Sequence, residues 1–307
     1  MNDIFTAGAV GKAPAKPERE RFEPGWYRDL SNERYHGSAG VSSTRIKTLI
    51  DRTPAHYLHG MHNPSGSTPA TELGSAFHTL TLEPHLAEQE IFVMPELNLR
   101  TKDGREQKAK LLEQHEGKAI LKPEQFEQAE AMANAARSHE TAAILLQDII
   151  AESSVYFWYD STDPDDGTQY RQMAKVRPDA INPAHHLVID LKSAEDATYS
   201  GFQKAIAKYY YHLSAAMYLQ GVNQCAELLQ ETGCYAYTKF IWIVVESKPP
   251  YTVGVYEADP EMLALGRTLL QRAMHQLHRA KSENFPGLPA EVRVIELPTW
   301  AKRLPIV

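Results

Sequence analysis

Val176-Arg177-Pro178-Asp179-Ala180 is followed a short way along the chain by Val188-Ile189-Asp190-Leu191-Lys192-Ser193. The second stretch is apolar almost throughout, and a buried strand is expected over His186–Leu191. Side chains alternate along a strand, so Asp190 and Lys192 share one face while Leu191 points to the other, into the core. Gln169–Arg177 also reads as a strand. With these two strands adjacent and joined through Asn182-Pro183, Asp179 falls just beyond a strand end and can share one divalent ion with Asp190. Hard oxygen ligands suit Mg²⁺, with Mn²⁺ as a substitute. The Lys192 ammonium can orient or help deprotonate the attacking water and stabilise charge building on phosphorus. An Asp–Lys pair at a strand end is also a common structural ion pair. Its position in an apolar run is costly unless the pair is used or compensated.

Strands and helices alternate around this stretch. Ser42 and Ser43 can cap a helix over Thr44–Asp51, and Pro54 starts another turn. Thr71 can cap Glu72–Leu82. The polar stretch Pro95–Lys108 reads as a loop running into a helix, and Pro123 opens a helix over Glu124–His139. Ser153–Tyr159 and Gln169–Arg177 read as a hairpin turning at Asp163-Pro164-Asp165-Asp166-Gly167. Helices are expected over Ala197–Ala207 and Tyr210–Leu229. A strand pair is expected over Tyr235–Glu246 and Tyr251–Tyr256, and a final helix from Pro260 to about Lys281. The order gives an α/β domain, a mixed central β-sheet flanked by helices. Residues 1–37 are expected to form a flexible N-terminal arm and 38–307 a single domain; the first 24 are rich in Ala, Pro, Gly and charge.

Composition narrows the function classes. A net charge of −7 excludes a histone-like polycation, so any nucleic-acid contact must come from local basic clusters. Cys225 and Cys234 are the two cysteines, too few for a four-cysteine zinc or iron–sulfur site. No apolar run reaches membrane-spanning length and the N-terminus lacks a signal-peptide core, so cytoplasmic residence is the expectation. There is no G-x-x-x-x-G-K-[ST] motor motif.

Two further elements bear on the site. In Gly74-Ser75-Ala76-Phe77-His78, Gly74 and His78 share a helix face. The glycine costs helix stability of about 1 kcal/mol against alanine, and would let a substrate or another backbone approach the imidazole. A histidine packed at a helix–sheet boundary explains the same residues. In Tyr211-His212-Leu213-Ser214-Ala215-Ala216-Met217-Tyr218, Tyr211, Ser214 and Tyr218 share a face. Lys204 and Lys208 make a basic stripe one turn upstream, able to lie along a phosphate backbone. An ordinary core helix with surface lysines fits equally well.

Taken in order, the GSAFH element, the Arg100–Gly104 loop, Glu152, VRPDA, VIDLKS and YHLSAAMY resemble the RecB-like branch of the PDDEXK nuclease superfamily, in particular the RecE-type exodeoxyribonuclease VIII nuclease domain. The resemblance spans roughly Val41–Lys281. It implies a restriction-endonuclease-like core and Mg²⁺-dependent hydrolysis of linear double-stranded DNA, 5′→3′ from duplex ends. His78, Asp179 and Asp190 match the metal ligands, with the Leu191 backbone carbonyl as a further one, and Lys192 matches the catalytic lysine. Glu152 matches a recurrent acidic position that a structural ion pair would also explain. Ser214 stands where the family often has glutamine, which leaves the role of the tyrosine helix open. The resemblance further implies a homo-oligomeric ring around DNA, such as a tetramer, a RecT-like single-strand annealing partner, and a phage or prophage recombination role.

Basic residues cluster in two places that could carry DNA. One is the loop with Arg100, Lys102, Arg105 and Lys108; the other is Arg267–Arg303, with seven Lys and Arg. Both are equally explained as solvated faces. Two rival functions remain at this point: a structure-specific endonuclease of the same fold, and a catalytically silent DNA-binding subunit.

Overall fold

The computed structural model describes residues 19–63 and 66–299. In chain order the elements are β1 (Gly25–Tyr27), α1 (Asn32–Gly37), α2 (Ser43–Ile46), α3 (Thr48–Asp51), α4 (Pro54–His62), α5 (Pro69–Leu82), α6 (Ala87–Glu90), β2 (Ile91–Val93), α7 (Lys102–Gln114), β3 (Ala119–Leu121), α8 (Pro123–Ser138) and α9 (Glu140–Leu145). Then come β4 (Ile150–Ala151), β5 (Ser154–Thr162), β6 (Gln169–Val176), β7 (Ala180–Asn182), β8 (Leu187–Ala194), α10 (Tyr199–Tyr209), α11 (Tyr211–Gln224), α12 (Ala226–Thr232), β9 (Lys239–Glu246), β10 (Val253–Glu257) and α13 (Pro260–Ser282).

The central sheet has five strands in the order β10-β9-β8-β7-β4. Only its β8–β9 pair is parallel, so the sheet is mixed, as the sequence led us to expect. Strand β8 is covered on both sides. Val188 packs with Trp242, Val244 and the α11 residues Leu213 and Met217. Ile189 and Leu191 pack with Phe77 of α5 and Met132 of α8. Burial on both faces is why this strand reads as a nearly unbroken apolar run.

The expected adjacency of the Gln169–Arg177 and His186–Leu191 strands is corrected. β6 pairs with β5 in a separate three-stranded sheet, β1-β5-β6. β8 instead takes β7 as its antiparallel neighbour, Ala180 opposite Ile189. Pro178 lies between β6 and β7; it has no N–H to give a ladder and marks the point where the chain leaves one sheet for the other. The hairpin at Asp163–Gly167 forms as expected, with Val155 through Thr162 opposite Val176 through Gln169.

Several boundaries also move. α5 begins at Pro69, with Thr68 as its cap and Thr71 reciprocating, because proline fits the first helical position. The helix expected over Thr44–Asp51 divides into α2 and α3. Of the expected arm, residues 1–18 lie outside the described residues, but Gly25–Tyr27 is a strand on β5 and Ser31 caps α1. Leu30, Tyr35 and Tyr156 form a small core there with Phe22 and Tyr27. Those aromatic residues supply the apolar area that anchors a segment whose polar composition had suggested an arm.

α13 crosses α11 closely enough to require a glycine. A Cβ on Gly266 would lie 2.1 Å from the His212 carbonyl oxygen and 3.1 Å from the Ala216 Cβ. Both neighbours are part of a helix and cannot swing away. Gly266→Ala is therefore expected to cost about 2–3 kcal/mol through overpacking, measured by urea unfolding. A wild-type midpoint would show that the two helices can separate freely.

Candidate active site

Strand register brings the acidic residues together. Carried one step beyond Ala180–Ile189, the β7–β8 pairing puts Asp179 opposite Asp190. Carried one step beyond Ala151–Ala180, the β4–β7 pairing puts Glu152 opposite Asp179, and the Glu152 N–H donates to the Asp179 carbonyl at 3.0 Å. Opposed residues share a face, so Glu152, Asp179 and Asp190 form a row across three strands. Glu152 holds a left-handed backbone, φ 46°, unusual for a residue with a side chain. α5 lies over the edge of this row and lowers His78 towards it. The His78 Nδ1 is 3.6 Å from an Asp179 oxygen and 3.8 Å from a Glu152 oxygen. Among the described residues, no atom outside its own helix lies within 4 Å of where a Cβ on Gly74 would be, so they leave the face beside His78 open.

The donor atoms of His78, Glu152 and Asp179 all lie within 4.8 Å of one another. Asp190 lies outside that tight set. Its carboxylate is 7 % exposed and is held by the Lys192 ammonium at 2.5 Å. Asp179 spends its other oxygen on the Leu191 N–H, at 2.6 Å. The Leu191 carbonyl accepts from Lys192 at 3.4 Å, so it faces the same side of the site. The structure thus brings together His78, Asp179, Asp190 and Lys192, as the sequence suggested, and places Glu152 about as near to His78 as Asp179 is. The signal of Glu152 was hidden because β4 is only two residues long.

The electrostatics follow from crowding. Burial pushes the carboxyls of Asp179 and Asp190 up, against the pull of His78 and Lys192 on Asp179 and of Lys192 on Asp190; Glu152 adds to the rise of Asp179. Burial disfavours the charged imidazole of His78, but Asp179 and Glu152 together hold it above its ordinary value. Burial likewise opposes the Lys192 charge, and Asp190 and Asp179 outweigh it, so the ammonium is stabilised. Three carboxylates against one lysine and one histidine make a centre short of positive charge. That, with two carboxylate donors and an imidazole within reach of one point, fits a divalent cation. Cation binding must displace protons held by these raised groups, so affinity should rise with pH. At one fixed concentration of Mg²⁺ or Mn²⁺, the upward shift in unfolding temperature is expected to be larger at about pH 8 than at about pH 5.5; a free ion concentration a hundredfold above Kd corresponds to about 2.7 kcal/mol of stabilisation. An equal shift at both pH values would speak against ligation by these side chains.

Tyr211, Ser214 and Tyr218 share the half-buried face of α11, as the spacing indicated. The Tyr211 ring lies 5.5 Å from the Lys192 ammonium. Burial drives the Tyr218 hydroxyl well above its usual range, with Tyr35, Asp190 and Asp179 adding to the rise and the Ser43 hydroxyl opposing it. Lys47, at the junction of α2 and α3, also lies over Tyr211, at 5.3 Å. Nothing in its local sequence marked it out.

The expected DNA-contacting cations lie on other elements of the chain. Arg100, Lys102 and Arg105 are exposed at the start of α7; Arg105 caps the Leu99 and Arg100 carbonyls, and Lys102 pairs with Glu106 at 3.5 Å. Lys204 and Lys208 are exposed on α10. Much of the C-terminal cluster is engaged internally. Arg279 holds Asp165 at 2.6 Å, Lys281 donates to Gln172, and Arg293 holds Glu291 at 2.6 Å. Lys302 and Arg303 lie outside the described residues. A second group with metal-ligand chemistry, Asp163, Asp165 and His275, joins the β5–β6 turn to α13, with Asp165 already taken by Arg279.

The family model for the "PDDEXK-like domain of unknown function (DUF3799)" matches residues 42–293. The chain belongs to this PDDEXK-like family. Its fold is also that of a crystal structure of a "putative exonuclease" from Eubacterium rectale, which is 15 % identical, with a TM-score of 0.56 over 88 % of this chain and 95 % of that one. A crystal structure of SSO0001 is 15 % identical over 70 % of this chain and 87 % of that one, at a TM-score of 0.29. No curated protein matches. The PDDEXK-like domain is thus an α/β nuclease fold, as the ordered motifs implied, with Asp190 and Lys192 on β8 of its five-stranded sheet and Asp179 immediately before β7. Among the described residues of the PDDEXK-like domain, no helix is long and apolar enough to cross a membrane.

Proposed function

We propose that this protein is a Mg²⁺-dependent deoxyribonuclease, an exonuclease acting on the ends of linear double-stranded DNA. The observation that carries this is the row Glu152–Asp179–Asp190 across three strands, closed by His78 on one side and Lys192 on the other. His78, Glu152 and Asp179 would hold the ion, with Asp190 and the Leu191 carbonyl next to them. Bound there, the ion supplies Lewis-acid polarisation of a phosphoryl oxygen and makes water more acidic. Lys192, fixed by Asp190, orients the attacking water and offsets the charge that builds on phosphorus. Asp190 is the positioning group for that ammonium. The bond broken would leave a 5′-phosphate and a 3′-hydroxyl.

The ordered motifs favour a RecE-type role: 5′→3′ resection by a homo-oligomeric ring in the cytoplasm of a bacterial or phage-infected cell, ahead of annealing by a RecT-like protein. Linear duplex labelled at the 5′ end or the 3′ end in turn, beside covalently closed circular duplex, tests the reading. Early release of the 5′ label with the circle intact is the expected result. Nicking of the closed circle would identify an endonuclease of the same fold. DNA binding without hydrolysis in Mg²⁺ or Mn²⁺ would identify a silent binding subunit.

A further inference from the structure

Lys47 is a charged group beside the site that has no ion-pair partner among the described residues. It ends α2 and begins α3, and it is half-buried. Its ammonium lies 5.3 Å from the centroid of the Tyr211 ring, and the Lys192 ammonium lies 5.5 Å from the same centroid. One aromatic ring therefore carries two lysines. Lys192 has Asp190 at 2.5 Å, whereas Lys47 is in no ion pair among the described residues. Burial pushes Lys47 down to about 8; the field of Asp190 favours its charge and that of Lys192 opposes it. A half-buried ammonium with no counter-ion is unfavourable by itself. Contact with the ring face offsets part of that cost.

We propose that Lys47 is a substrate-binding residue of the nuclease centre, donating to a non-bridging phosphate oxygen of the strand held in the site, with Tyr211 fixing it beside Lys192. The proposal rests on the deoxyribonuclease reading for its substrate. Its geometry supports a division of labour. Lys192 is tied to Asp190 and would serve the reacting phosphate, and Lys47 would have its charge free for a phosphate next to it. A phosphodiester supplies the anion that the position lacks, without requiring any base contact.

The test compares wild type, Lys47→Met and Lys47→Arg. Binding of a fluorescein-labelled duplex is followed by anisotropy without divalent ion, over a range of salt concentrations. Loss of one phosphate contact is expected to lower the slope of log Kd against log salt by about 0.9 in Lys47→Met. In Mg²⁺, KM is expected to rise about tenfold while kcat stays within about threefold. Lys47→Arg should recover most of the slope and KM. Folding should not confound this, because methionine removes an unpaired half-buried charge; an unfolding temperature at or above wild type is expected. An unchanged slope, or a fall in kcat with KM unchanged, would overturn the proposal and leave Lys47 as a support for Tyr211. Wild-type binding without hydrolysis would remove the nuclease reading while the slope comparison still decides Lys47. Wild-type protein that neither binds nor cuts DNA would remove both.

Discussion

Lys192→Ala is expected to lower Mg²⁺-dependent DNA cleavage by about 10²–10³-fold or more, the cost of losing one fixed donor aimed at developing charge. The same substitution leaves Asp190 behind with its side chain 7 % exposed and no partner at 2.5 Å. Burial already pushes that carboxyl up, and removing the ammonium pushes it further. A carboxyl whose folded value lies above its unfolded one gives stability that is complete below about pH 4 and is lost as pH rises through the folded value. The variant should therefore be nearly as stable as wild type in mild acid and less stable at about pH 8. The deficit has a ceiling of about 3–5 kcal/mol, the cost of breaking a buried pair. Melts at the two pH values separate this effect from loss of catalysis, since activity can be assayed well below the melting temperature of either protein. Wild-type activity in the variant would remove Lys192 from the chemistry.

Asp179→Asn should show the opposite pairing of effects. Asparagine keeps an oxygen for the Leu191 N–H, now held at 2.6 Å, so β7 and β8 stay joined at this point. It removes the charge that faces His78 at 3.6 Å and adds to the crowding with Glu152. Cleavage is expected to fall by about 10³-fold, because a neutral amide is a poor ligand for a hard cation. Metal-free stability should be equal to wild type or higher, because a buried carboxylate that burial and Glu152 both disfavour is gone. The stabilisation by Mg²⁺ should largely disappear. A large loss of metal-free stability would mean that the charge of Asp179 serves the fold and not the ion.

The site's local geometry could be read directly from the chain. Asp190-x-Lys192 has the two-residue period of a strand, and the structure joins these side chains on one face with Leu191 in the core behind them. The β5–β6 hairpin was equally legible from its Asp-Pro-Asp-Asp-Gly turn. Harder to read was what depends on short elements and distant contacts. β4 and β7 have two and three residues, too few to show a period, yet they place Glu152 and Asp179 in the acidic row. Without β7, β6 appeared to be the neighbour of β8. Lys47 meets Tyr211 across a separation in sequence that no local pattern spans. The segment from Gly25 to Gly37 looked like part of an arm because its few aromatic residues sit among charges; Tyr27 and Tyr35 bury against Tyr156 of β5, and Trp26 against the main core, contacts distant in sequence.

Release of acid-soluble nucleotides from linear duplex, by wild type and Lys192→Ala side by side with Mg²⁺ or with a chelator, examines the centre most directly. Rapid release by wild type in Mg²⁺, and none above background with chelator or with the variant, is expected. Release that persists in chelator or in Lys192→Ala, or a wild-type protein inert with both Mg²⁺ and Mn²⁺, would show that His78, Glu152, Asp179, Asp190 and Lys192 are not a metal-dependent nuclease centre.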